Sequence, residues 1–175
     1  MANPTMTLIS SQTLGGTTAS VTFSSIPSTY NDLKLVISAR GDTAAYNESF
    51  ILAINGDVSA NYSWTTLLGN SSTASSARVS GSGSDTGTIV GAASATASTF
   101  SSIEIYIPNY TSTGNKPFFG VAVVETNDVT AAHAEIQAIA HLYRGGSGIS
   151  SIVITPGIGN FVQYSDFYLY GIKNS

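Results

Sequence analysis

Thr99-Phe100-Ser101-Ser102-Ile103-Glu104-Ile105-Tyr106-Ile107-Pro108 is the stretch whose reading decides the fold. Ile103, Ile105 and Ile107 alternate with Ser102, Glu104 and Tyr106. Successive side chains of an extended chain point to opposite faces, so this period of two predicts a strand with one buried face. Pro108 has no N–H for a ladder and marks the strand end. Asn109–Asn115 is rich in turn formers, and Phe118, Phe119, Val121, Val123 and Val124 then read as a returning strand. A lone two-stranded ribbon is barely stable in water, so the isoleucine face requires a second layer.

Outward from this ribbon the chain repeats the pattern. Thr7–Ser11 and Ala19–Phe23 are short strand candidates. In Leu33–Arg40, Leu33, Leu35, Ile37 and Ala39 face one way, and Lys34, Ser38 and Arg40 the other. Phe50–Ile54 runs into Asn55-Gly56, a hairpin signal because both residues tolerate positive φ. Asn61–Leu68 follows, with Tyr62 and Trp64 on one face. Gly69–Ser98 has little apolar bulk and reads as a long surface excursion with short edge strands near Arg78–Val79 and Thr88–Val90. Ala131–Tyr143 fits a helical spacing through Ile136, Ile139 and Ala140, and equally a strand; the hairpin-sized turns around it favour strand. Ile149–Thr155, Phe161–Gln163 and Phe167–Ile172 complete about ten strands at short spacing. That count predicts a single all-β domain, residues 1–175, of sandwich or barrel type.

Composition narrows the function. Charged residues make up only 9% of the 175, against roughly a quarter in ordinary globular proteins. Polarity comes from Ser and Thr instead. A surface of hydroxyls is weakly repelled by other protein surfaces, which suits a chain packed in an assembly. The net charge of −4 and six scattered Lys and Arg offer no basic patch for nucleic acid or an anionic membrane. There is no cysteine, hence no disulfide or thiolate metal site, and Met1–Gln12 lacks the features of a signal peptide.

Catalytic patterns are thin. Glu104, Glu125 and Glu135 fall on predicted strands and could serve as an acid–base pair, but the alternation around them makes solvent-facing positions the simpler expectation. His133 and His141, eight residues apart on one strand, stand roughly 26 Å apart at ~3.3 Å per residue, too far to share a metal. Both are expected to be ordinary surface or interface histidines. No Gly-x-Ser-x-Gly elbow or phosphate loop occurs, and no cofactor is implied. The best binding candidates are the aromatics Tyr46, Tyr62, Trp64, Tyr106 and Tyr110, whose flat faces and polar tips suit a sugar or a protein partner; core filling is the competing role, for Trp64 above all.

Thr7 to Leu14, Thr22 to Leu33, Asn61-Tyr62-Ser63-Trp64, Phe100 to Tyr110 with Asn115-Lys116-Pro117, and the closing Phe167 to Ile172 share a texture and an order. Together they resemble the small Ser/Thr-rich jelly-roll proteins in the structural modules of tailed bacteriophages, notably cyanophages. The resemblance spans nearly the whole chain and implies a two-sheet antiparallel jelly-roll sandwich, a homotrimer and a place on the virion. It further implies a non-enzymatic capsid decoration (cement) protein bound to the major capsid protein. The alternative is a tail-fibre or spike head that binds a host-surface glycan. With a first strand starting within about ten residues and no stalk-forming repeat, a self-contained knob decorating the shell is the expectation.

Overall fold

A computed structural model describes residues 5–70, 73–127 and 134–173. The described chain is all-β, with twelve strands in two sheets and every strand pair antiparallel. Eight strands form a jelly roll. One sheet runs β1 (Met6–Thr13), β12 (Asp166–Ile172), β3 (Asp32–Ala39), β8 (Ser101–Ile107); the other runs β2 (Val21–Phe23), β11 (Ile152–Pro156), β4 (Asn47–Ile54), β7 (Asp85–Gly91). β1 pairs with β12, β2 with β11, β3 with β8 and β4 with β7, the rolled-up antiparallel ribbon that defines the fold. Two inserted hairpins then widen the first sheet. β9 (Lys116–Val124) pairs with β8, β10 (Glu135–Tyr143) with β9, β5 (Tyr62–Asn70) with β10, and β6 (Thr73–Ser82) forms the far edge.

The alternation places the core where the isoleucines point. Ile103, Ile105 and Ile107 are fully buried, as are Leu33, Leu35 and Ile37 beside them on β3. From the opposite sheet Val21, Phe50, Leu52, Ile54, Ile152 and Ile154 meet them. Phe161 closes one end of this core against Phe50 and Phe167, with ring centroids 6.5 and 5.0 Å away. It stands in isolated bridges to Thr18 and Gly41 and not in the short strand expected over Phe161–Gln163.

Other expectations change with the tertiary context. Asn55 and Gly56 do take positive φ (53° and 71°), but the turn is no hairpin. Both edges of β4 are taken, by β11 and β7, so the chain after Ile54 crosses to the other sheet. Asn55 secures that crossing: its amide donates to the Gly148 carbonyl at 2.9 Å, and its carbonyl accepts from Ser150 and Ser151 N–H.

Within the excursion expected over 69–98 the two strands do stand at sheet edges, but they are longer than expected: β6 has both faces exposed, while β7, at the edge of the smaller sheet, buries one face in the core. Val90 is fully buried, and Thr86 and Thr88 nearly so; Thr86 stays there by donating to the Phe50 carbonyl at 2.6 Å. Arg40, expected on the open face past β3, is buried. Its guanidinium donates to the carbonyls of Ala93, Ala95, Thr96 and Thr99 at 2.7–3.1 Å and so ties down the 92–99 loop; desolvation holds its pKa below the usual value. Strand wins over helix at the ambiguous segment from Glu135 to Tyr143, since both edges of β10 are hydrogen-bonded; Ala131–His133 lies outside the described residues.

Candidate functional site

Among the described residues no second layer covers the outer face of the widened sheet. Register sets its side chains in rows. Lys34, Tyr106, Phe119, Ala140, Thr65 and Arg78 stand side by side across six strands, and Val36, Glu104, Val121, Ala138, Leu67 and Ser76 form the next row. In the middle of each row β10 contributes only an alanine. The side chains of β9 and β5 therefore rise on either side of a trough of about 390 Å³, with Phe119 and Val121 on one wall and Leu67 on the other. Leu67, Phe119, Ile136 and Val121 are 60%, 57%, 57% and 39% exposed. Contiguous apolar groups this open are a feature that monomeric proteins keep small.

The trough has polar ends. At the β6 side a hollow of about 170 Å³ is lined by Arg78, Ser63, Thr65 and Leu142. At the β3 side Lys34 Nζ sits 2.8 Å from Glu104 Oε2, in a pair open to solvent and therefore weak. Tyr106 stands there too. Its hydroxyl donates to Asp32 Oδ2 at 2.5 Å, and its ring lies 5.6 Å from that of Phe119.

The five aromatic candidates do not come together. Only Tyr106 stands on the outer face, behind the Phe119 wall of the trough. Tyr110 is fully buried, its hydroxyl donating to the Pro27 carbonyl. Tyr62 is buried on the inner face, accepting from Ile54 N–H and donating to the Asp57 carbonyl, both at 2.9 Å, with its ring 4.9 Å from that of Tyr143. Trp64 is half-buried on the same inner face against Gly87 of β7. Tyr46 sits 37% exposed on the loop between β3 and β4, at the far end of the roll from Tyr62. The trough escaped the sequence reading because its signal, exposed Phe119, Val121 and Ile136 around two alanines, appears only once three strands are in register.

The acidic residues are also dispersed. Glu104 is on the outer face, while Glu135 has inner parity and lies opposite buried Val124, half-buried with its carboxyl pushed up by desolvation. They cannot flank one bond. Glu125 lies just beyond the end of β9 and accepts from Asn127 N–H at 2.8 Å. Among the described residues no three His, Asp or Glu converge on a metal position.

His141 is not at the surface. Its imidazole is buried, stacked on Phe118 at 4.6 Å and 15°, and burial pulls its pKa down to about 3. His133 lies outside the described residues.

No family model matches the chain, and no curated protein matches it closely enough to count as a relative. Among solved structures, a functionally unknown protein from Saccharomyces cerevisiae aligns over 91% of this chain and 76% of its own at 9% identity, with a TM-score of 0.30. A superposition that loose carries no argument about either protein.

Proposed function

We propose that this chain is a non-enzymatic virion structural protein that binds a phage shell as a homotrimer and stabilises it, with the major capsid protein as its partner. The observation that carries the reading is the uncovered apolar face built by the two inserted hairpins, on a jelly roll whose surface is otherwise poor in charge. An exposed apolar face is costly in a free monomer and becomes favourable when buried against a neighbour. Symmetric repetition over a shell lets modest contacts add up to firm seating. Work of this kind is mechanical: buried interface raises the barrier to shell opening.

Immunogold labelling of intact particles tests it. Label spread over the head is the expected result, and particles with no label overturn it. Label confined to the tail instead favours the fibre-head reading. One observation supports that second reading: Tyr46, Ile158 and Tyr164 are exposed on loops at one end of the roll, where a host glycan or protein could meet them. A glycan array whose signal is lost on Tyr46→Ala and Tyr164→Ala, with folding intact, would decide for it.

A further inference from the structure

We propose that the outer face of β8, β9, β10 and β5 is an interface between copies of this chain, the β8–β9 half of one copy lying against the β10–β5 half of its neighbour. The inference rests on the association of like copies in the reading above, not on its threefold order or the virion address, since a face turned onto itself joins copies in pairs.

Three features select a second copy as the occupant. The first is shape. The β9 half carries the protruding Phe119 and Val121, and the β10 half carries the hollows left by Ala140 and Ala138, at the same two levels along the strands. A copy turned over onto another sets each ridge into a hollow, which is how apolar sheet faces interdigitate.

The second is charge. Arg78, at the β6 rim, has no ion-pair partner among the described residues, and Glu104, at the opposite rim, is open to solvent beside Lys34. Setting opposite halves together brings Arg78 of one copy over the Lys34–Glu104 pair of the next, with Lys34 at its own level and Glu104 one strand in and one row along. The carboxylate then lies between two cations.

Area is the third. Four strands at ~4.8 Å spacing and seven or more residues at ~3.3 Å cover roughly 500 Å² of each copy. A facing pair thus buries about 1,000 Å², the lower bound for a specific interface. The trough wall offers few polar groups beyond Thr65 and Ser76 to orient a sugar, and its flanks carry only Arg78 and a Lys34 already paired with Glu104, too little positive charge to seat it on an anionic membrane.

Light scattering on the purified full chain tests the assignment. The wild type should show a multiple of 18.0 kDa. Phe119→Lys with Ile136→Lys should run at the mass of one chain, with an unchanged circular-dichroism spectrum. The milder Val121→Ser should raise the dissociation constant tenfold or more. Arg78→Glu should weaken association, and adding Glu104→Lys should restore it, a rescue that mere loss of packing cannot produce. A wild type of one chain's mass at every concentration would overturn the proposal. So would variants that keep the wild-type mass. Loss of particle labelling with the assembly intact would instead sink the virion reading alone.

Discussion

The indole of Trp64 sits on the α-carbon of Gly87, with three of its ring atoms 2.6–2.8 Å from where a β-carbon on that residue would stand. This contact joins β5, in the inserted part of the large sheet, to β7 of the small one. Gly87 also holds φ at +63°, a conformation that L side chains rarely adopt. Gly87→Ala therefore meets both a backbone cost and a clash, and should destabilise the fold by roughly 2–4 kcal/mol. Urea titration followed by the fluorescence of the single tryptophan measures it directly, since the same ring reports the opening.

His141 makes stability depend on pH. Its folded pKa of about 3 lies below the usual 6.5, so the folded state favours the neutral ring. The stability this contributes is complete above pH 6.5 and is lost as the pH falls from 6.5 towards 3, by up to tenfold in the folding equilibrium per pH unit. Glu48 and Glu135, whose carboxyls are pushed up by burial, act in the opposite direction near their own range. Asp57, held at about 2 by hydrogen bonds from Asn61 and Ser59, loses its contribution only below 3.8. The raised carboxyls of Glu48 and Glu135 titrate above 4.5, inside the same window from pH 6.5 to 4.5, so the histidine's share is the change in pH slope on replacing it. His141→Phe keeps the stack on Phe118 and should flatten the difference between denaturation midpoints at those two pH values; an unchanged slope would rule this account out.

Arg40 satisfies four carbonyls of one loop. Arg40→Met preserves much of the apolar stem and abandons those carbonyls, at an expected cost of about 3 kcal/mol or more. The loss is local before it is global. Limited proteolysis should cut within 92–99 in the variant and spare the wild type.

Tyr62 is a strut and not a contact surface. Tyr62→Phe leaves the buried Ile54 N–H and the Asp57 carbonyl without their shared hydroxyl, which should lower stability by roughly 1–3 kcal/mol in a thermal melt. The same substitution should leave oligomeric mass unchanged, because the ring faces away from the trough.

Where a residue pointed was legible in the sequence. The inward isoleucines of β8, the leucines of β3 and the terminal Phe167 and Leu169 all follow from alternation. The β8–β9 ribbon also held, and what misled were the inferences about which layer or loop covers a residue. Arg40 continued the polar parity of β3, yet the loop after β7 folds over it and consumes its donors. His141 had the parity of a strand face, and only the β7 layer made that face interior.

Alternation is a property of one extended segment, and the rise of the chain and the solubility of each side chain set it before any strand finds a partner. From that came the all-β class and the layered core, and composition added the shortage of charge on the outside. Partner choice is not local. The free energy of a ladder depends on which edges remain open, so Asn55-Gly56 became a crossing between sheets, two hairpins widened one sheet to eight strands, and two alanines of β10 came to lie between Phe119 and Leu67. Register across separate segments built the trough.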